Sequence, residues 1–224
     1  MNTGRGLPDR GSQRRGLRGT ASPRQASSRT PSPHTKKKTA TKPSRKLRPK
    51  SNTVILLGFM GAGKTTIGLA LAQRLGWEFI DLDERIEARQ GLTIAEIFRA
   101  SGEPEFRRIE SAELQRVLKP RLRSKPAIVA LGGGALIQDK NAALVRRSGA
   151  MCVFLDAPVE ELWRRAQKNG KRPLAAFENQ FRQLYELRRP RYMEAGVYVP
   201  TAERAIEVTV TEVLTRLGLM DEEL

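Results

Sequence analysis

Residues Gly58-Phe59-Met60-Gly61-Ala62-Gly63-Lys64-Thr65 follow directly on the apolar run Val54-Ile55-Leu56-Leu57. No other stretch constrains the fold so tightly. The order Gly-x-x-x-x-Gly-Lys-Thr, set between a buried strand and a helix, is the pattern of a phosphate-binding loop. Glycines let the backbone wrap closely enough to aim several N–H groups at one anion, and the following helix points its positive end at the same place. In such a loop Lys64 reaches the β- and γ-phosphates and Thr65 is a ligand of Mg²⁺. A nucleoside triphosphate is therefore expected. The motif is silent on the acceptor.

The 224-residue chain has a formal charge of +17, which taken alone points to nucleic acid. Its distribution changes that reading. Residues 1–50 hold 15 Lys or Arg and a single acid, Asp9, and account for +14, whereas residues 51–224 carry only +3. The first fifty residues have no apolar stretch beyond a residue or two. Such a segment buries too little surface to offset the entropy of ordering it, so a disordered basic tail is expected, followed by one domain over 51–224. The tail fits a solvated extension, a polyanion contact or an Arg- and Ser-rich transit peptide. It lacks the apolar core of a secretory signal, and no stretch of the chain approaches the length of a transmembrane helix. Cys152 is the only cysteine, so an internal disulfide is excluded and a reducing compartment fits. The single histidine, His34, lies in the tail, which argues against histidine chemistry or a His-ligated metal. A cytoplasmic location is expected, with organelle targeting by the tail as the alternative and no membrane partner; a monomer acting on a small molecule is expected as well.

From about residue 53 apolar runs alternate with amphipathic stretches. Strands are expected at Val54–Leu57, Trp77–Leu82, Ala127–Leu131, Met151–Leu155 and Val197–Val199. Helices are expected from Lys64 to Leu75 with Gly76 as the stop, near Glu84–Arg89, after a Thr93/Glu96 capping box, over 104–118, from Asp139 to Arg147, over Val159–Gln167, from Phe177 to Ala195, and near Glu203–Leu217. Pro190 is expected to kink or end its helix, and Asn169–Glu178, polar and holding Gly170 and Pro173, reads as a loop. Unbroken apolar strands alternating with helices indicate a parallel sheet covered on both faces.

Beyond the loop, chemistry-bearing residues cluster at strand ends. The second strand closes with Asp81-Leu82-Asp83. In an open parallel sheet, ligands sit beyond the carboxyl ends of the strands, so one acid can face Mg²⁺ and the other the acceptor; ordinary helix capping by aspartate is the competing reading. Arg107 and Glu110 are three apart on a helix and can pair, either as a solvated surface pair or to hold an arginine that grips a carboxylate. Gly132-Gly133-Gly134 follows a buried strand and permits close backbone approach to a small ligand, or forms a mobile connector. Arg172 in Arg172-Pro173-Leu174 and Arg188 before Arg189-Pro190-Arg191-Tyr192 supply planar donors suited to carboxylate or phosphate.

These blocks resemble the shikimate kinase family in order and spacing: Gly58–Thr65, Asp81-Leu82-Asp83, Glu105-Phe106-Arg107-Arg108-Ile109-Glu110, Leu131-Gly132-Gly133-Gly134-Ala135, Arg172-Pro173-Leu174, and Arg188 with Pro190 and Tyr192. The likeness spans about residues 53–217. It implies a P-loop NTPase of nucleoside-monophosphate-kinase type, α/β, with a five-stranded parallel sheet of order 2-3-1-4-5 flanked by helices. It implies ATP-dependent phosphorylation of the 3-hydroxyl of shikimate, on the route to chorismate and the aromatic amino acids, with Mg²⁺. By that match Asp83 binds the accepting hydroxyl and acts with Lys64 and Arg172 in catalysis. Arg107 and Arg188 hold the substrate carboxylate, and Gly133 and Gly134 pack its ring. Gly61, Ala62, Gly63, Lys64, Thr65 and Thr66 cradle the nucleotide, Arg165 flanks adenine, and Asp81 joins Thr65 at the metal. Pro200 and Ile206 both remain open as the second adenine neighbour, and the lid near 169–178 carries Lys168, Lys171 and Arg172. Two other functions compete. A gluconate-type kinase is disfavoured by Arg107, Arg188 and the triple glycine. A non-catalytic shikimate-kinase-like sensor that binds nucleic acid through the tail is disfavoured by Lys64, Asp81 and Asp83.

Overall fold

A computed structural model describes residues 51–119, 125–169 and 177–220. Thr53–Leu57 forms β1, buried at every position, as a central strand covered on both faces must be. It lies between β3 (Ala127–Ala130) and β4 (Met151–Asp156), with β2 (Glu78–Asp81) and β5 (Val197–Pro200) at the edges. The sheet is parallel with strand order β2-β3-β1-β4-β5, as expected. Ile55 is level with Val129 on one side and Cys152 on the other.

From β1 the chain crosses to β2 at one edge, and from β3 it crosses to β4 on the other side. The crevice between the carboxyl ends of β1 and β3 is therefore a topological switch point, the place where doubly wound sheets bind ligands. The Gly58–Gly63 loop and the Gly132–Gly134 run both open into it.

Helix α1 (Lys64–Leu75) buries Ile67, Gly68, Leu71 and Ala72 against the sheet and stops at Gly76, φ 66°. A methyl at Gly68 would overlap the Phe79 ring, so this glycine sets how closely α1 lies on β2. Helix α2 (Leu82–Gln90) begins two residues earlier than expected, and β2 ends correspondingly at Asp81. The cause is the Asp81 side chain, which accepts from the N–H groups of Asp83 and Glu84 and starts the helix there. The Thr93/Glu96 capping box forms in both halves: Glu96 N–H donates to Thr93 Oγ1 at 3.2 Å and Thr93 N–H to Glu96 Oε2 at 2.7 Å. Such a cap is worth about 1 kcal/mol.

The capped stretch after Thr93 and the separate helix expected over 104–118 are both present, two helices meeting at the non-helical Gly102 (φ 73°, ψ 174°) just before Pro104 and labelled together as α3 (Ile94–Val117). Helices α4 (Asp139–Ser148) and α5 (Val159–Asn169) follow the expected boundaries within a few residues, and a single 3-10 turn, Ala135–Ile137, follows the triple glycine. Helix α6 (Glu178–Ala195) runs through Pro190 instead of ending there. Pro190 and Glu186 are both exposed, so the carbonyl that the ring deprives of a partner lies on the solvent side. Helix α7 (Ile206–Leu217) starts three residues later than expected, because Glu203 takes a left-handed φ of 53°. The tail expected over 1–50 and most of the expected lid loop lie outside the described residues.

Candidate active site

The nucleotide cradle begins where β1 ends. Gly61 and Gly63 hold φ of 83° and 87°, left-handed values that side-chain-bearing residues avoid. A Cβ at Gly61 would also strike the Leu162 carbonyl. Gly63 caps α1 without a side-chain bond, Ala62 is buried, and Thr65 and Thr66 are exposed at the first turn. Lys64 is only 8 % exposed. Its ammonium folds back over the loop and donates to the carbonyls of Gly58 at 2.9 Å and Phe59 at 3.1 Å.

Thr65 Oγ1 donates to Asp81 Oδ2 at 3.0 Å, while Asp81 Oδ1 accepts from Asp83 N–H at 3.0 Å. Asp81 therefore caps α2 through Oδ1, while Oδ2 is turned to the Thr65 hydroxyl. The pair presents a hydroxyl and a carboxylate, hard oxygens of the kind Mg²⁺ takes, and that ion commonly uses one or two carboxylates with phosphates and water completing its shell. Among the described residues no group of three or more metal-ligating His, Cys, Asp or Glu side chains exists; the chemistry of the Thr65–Asp81 pair fits an ion that takes few protein ligands.

Arg165, on α5, approaches the far side of the loop. Its guanidinium donates to the Thr201 carbonyl at 3.0 Å, to Thr201 Oγ1 at 3.3 Å and to the Gly61 carbonyl at 3.4 Å, and pairs with Glu161 at 2.8 Å. It thus stands beside Thr201, the residue after Pro200, whereas Ile206 is 41 % exposed at the start of α7.

The acceptor side is organised around Gly132-Gly133-Gly134. A Cβ at Gly132 would lie 2.6 Å from Asp83 Oδ1 and 3.0 Å from Glu110 Oε1. One at Gly134 would lie 2.5 Å from both terminal nitrogens of Arg107. The Gly133 carbonyl accepts from Arg188 Nη1 at 3.2 Å and from the Tyr192 hydroxyl. A Cβ at Gly133 would sit 3.8 Å from the Gly58 carbonyl and 3.9 Å from the Met60 N–H nitrogen. Asp83, Arg107 and Arg188 thus meet at one glycine run that abuts the phosphate loop. The glycines are a close-approach surface and not a slack connector.

Arg107 is fixed between carboxylates. It donates to Glu110 Oε2 at 2.9 Å and to Glu103 Oε1 at 2.9 Å, and Gln138 adds a bond to the same Glu110 oxygen at 3.2 Å. The solvated-pair reading is therefore corrected: Glu110 is fully buried. Burial pushes its carboxyl above the ordinary range; Arg107 returns only part of that, and the neighbouring Asp83 charge adds to the push. Burial also opposes the Arg107 cation, but Glu110 and Glu103 together outweigh it and raise its pKa. The two partners differ because Arg107 has two carboxylates to lean on and Glu110 shares its arginine. Glu110 Oε1 is left without a hydrogen-bond partner, beside Asp83. Arg188, 7 % exposed, has its pKa lowered by burial, an effect the Arg107 charge reinforces and Tyr192 opposes. It lies over the Phe59 ring at 5.7 Å, so the phosphate loop supports it directly.

Sequence reasoning assigned no role to three contributors. Gln138 and Tyr192, the latter quoted only as part of the Arg188 block, complete hydrogen bonds across 28 and 59 residues of chain. Asp156 closes β4 and is 2 % exposed, yet it reads as an ordinary strand end. Arg172, expected on the lid with Lys171, lies outside the described residues.

A parallel sheet of order 2-3-1-4-5, with a phosphate-binding loop after its central strand and an acid and two arginines gathered along the neighbouring glycine run, defines a P-loop phosphotransferase of nucleoside-monophosphate-kinase type. The family model described as "Shikimate kinase" matches residues 60–218, and the chain belongs to the shikimate kinase family. It is 40% identical over 169 residues to a shikimate kinase of Cereibacter sphaeroides, covering 74% of this chain and 82% of that one. A solved shikimate kinase from Acinetobacter baumannii in complex with shikimate superposes with TM-score 0.67 at 32% identity, covering 76% of this chain and 95% of that one. A gluconokinase from Sinorhizobium meliloti shares the fold alone, at TM-score 0.51 and 23% identity.

Proposed function

We infer that this chain transfers the γ-phosphoryl group of ATP to the 3-hydroxyl of shikimate, in the biosynthesis of the aromatic amino acids. The observation that carries this reading is the placement of Asp83, Arg107 and Arg188 on Gly132–Gly134, within reach of the phosphate loop. A carboxylate and two guanidiniums gathered along one glycine run suit a substrate that has both a hydroxyl and a carboxylate.

In this reading Arg107 and Arg188 hold the shikimate carboxylate, and Gly133 and Gly134 let the ring lie flat against backbone. Asp83 accepts a hydrogen bond from the 3-hydroxyl and takes its proton as that oxygen bonds to the γ-phosphorus. The bridging P–O bond to the β-phosphate breaks and ADP leaves. Gly61, Ala62, Gly63, Thr65 and Thr66 cradle the phosphates. Lys64 exchanges its two loop carbonyls for phosphate oxygens, and Arg172 brings further positive charge where negative charge accumulates. Arg165 borders adenine, with Pro200 the nearer second neighbour. Thr65 and Asp81 would hold Mg²⁺, which offsets the charge of the β- and γ-phosphates.

We read the enzyme as a monomer acting on a small-molecule substrate. Among the described residues no helix is long and apolar enough to cross a membrane, and we place the enzyme in the cytoplasm. The test is a coupled ADP-release assay on the full chain with ATP and Mg²⁺. ADP release that depends on shikimate is expected. Equal release without shikimate, or release driven by gluconate, would overturn the reading.

A further inference from the structure

Asp156 is the last residue of β4 and one of the few buried carboxylates, 2 % exposed. None of the roles above uses it. Its carboxylate faces α6: the Tyr185 hydroxyl lies 3.2 Å from Oδ1 and 3.3 Å from Oδ2, and Arg189 Nε donates to Oδ2 at 3.0 Å. Burial and the Asp156 charge push the Tyr185 hydroxyl up to about 12, so it stays a donor throughout the physiological range.

Tyr185 and Arg189 bracket Arg188 on the same helix. Residues three apart on a helix share a face, so Tyr185 and Arg188 point the same way. Both meet the phosphate loop at one side chain. The Tyr185 ring stands edge-on to Phe59 at 5.7 Å between centroids, and the Arg188 guanidinium lies 5.7 Å from the same ring. The bonds to Asp156 thus fix the height and rotation of α6 where Arg188 must reach the Gly133 carbonyl. The main-chain carbonyl of Asp156 serves a different neighbour. It accepts from Thr201 N–H at 2.7 Å and Thr201 Oγ1 at 3.1 Å, and Thr201 in turn receives Arg165.

We propose that Asp156 is a positioning residue for the acceptor: through Tyr185 and Arg189 its carboxylate holds α6 so that Arg188 is presented at Gly133. The proposal rests on the reading of Arg188 as a shikimate-carboxylate ligand. It separates the side chain of Asp156, which acts on α6 through Tyr185 and Arg189, from its backbone, which leads through Thr201 to Arg165.

The experiment is steady-state kinetics on the full chain with both substrates varied, for Asp156→Asn, Tyr185→Phe, Arg188→Ala and the double variant Asp156→Asn/Arg188→Ala. Tyr185→Phe keeps the ring on Phe59 and removes only the hydroxyl, so it tests the idea even if the asparagine variant does not fold. Asp156→Asn is expected to raise the shikimate KM about tenfold and Tyr185→Phe about threefold, with the ATP KM changed by less than about twofold in both. In the Arg188→Ala background, Asp156→Asn should add little, because two residues acting through one contact are not additive. A shikimate KM raised in Arg188→Ala but unmoved in Asp156→Asn and Tyr185→Phe overturns the proposal and leaves the function standing. So does a parallel rise in both KM values, the mark of a general structural loss. A shikimate KM unaltered in Arg188→Ala overturns the reading of Arg188 itself.

Discussion

The guanidinium of Arg107 lies directly over the α-carbon of Gly134: a methyl group there would stand 2.5 Å from both terminal nitrogens. The arginine is anchored at its back by Glu110 and Glu103 and faces backbone at its front. Its position is therefore set by the absence of a side chain as much as by the two carboxylates.

Gly134→Ala should displace that guanidinium while leaving the fold nearly intact. The atoms in the way are the far end of a flexible side chain, and Gly134 has an ordinary φ of −115°, so no backbone strain accompanies the methyl. We expect the shikimate KM to rise on the order of tenfold, the ATP KM to change by less than about twofold, and stability to fall by under about 1 kcal/mol. Kinetics with both substrates varied, together with a thermal melt, check this. Equal effects on the two substrates would refute it.

Glu110 gives a pH signature. Its folded-state pKa is raised above the ordinary 4.5, chiefly by burial. The folded protein therefore binds this proton more tightly than the unfolded chain, and stability from this group falls as pH rises through and beyond 4.5. Arg107 stays charged across the range, and Asp83 and Gln138 are the other groups facing the carboxyl. Glu110→Gln removes the titration while retaining a side chain that can bond Arg107. Relative to wild type the glutamine variant should gain stability as pH goes from 4.5 to 7, measured as the difference in denaturant unfolding free energy. A difference that stays flat, or moves the other way, would show that Arg107 outweighs burial.

The extent to which this site was legible in sequence depends on whether each role is local. The phosphate loop, the helix behind it and the Thr93/Glu96 box are short-range patterns whose spacing carries the physics, and they stand where expected. The cap formed by Asp81 and the bond it accepts from Thr65 look alike in sequence, because they belong to two oxygens of one carboxylate. An Arg107/Glu110 spacing looks the same on a wet surface as in a core; only the packing of α3 against the triple glycine decides it. Asp156, Gln138 and Tyr192 find partners far along the chain, where no periodicity reaches. Pro190 does not end α6, because the rule it obeys is about an unpaired carbonyl, and solvent meets that need.

Asp81→Asn separates those two oxygens. Asparagine caps a helix about as well as aspartate, so the start of α2 and the melting temperature should be kept. The lost charge should raise the Mg²⁺ concentration needed for half-maximal activity about tenfold, since carboxylate is a far better Mg²⁺ ligand than amide. Thr65→Ser, which keeps the hydroxyl, should leave that requirement close to wild type. An unchanged Mg²⁺ titration in Asp81→Asn would confine Asp81 to capping.

Asp83 sits on the first turn of α2, its backbone N–H held by Asp81 and its carboxylate against Gly132 and Glu110. Its carboxylate lies against the acceptor-side glycine run. If it orients the hydroxyl and takes its proton, Asp83→Asn keeps the shape and the hydrogen-bond acceptor but loses the base. General-base contributions run from about 10² to 10⁴ in rate, so turnover should fall by at least about a hundredfold while ATP affinity, measured by equilibrium binding, stays within about twofold. Binding of ATP cannot substitute for the missing proton acceptor, and raising either substrate should not restore the rate. Turnover near the wild-type value would mean that the proton leaves by another path and that Asp83 only shapes the cleft.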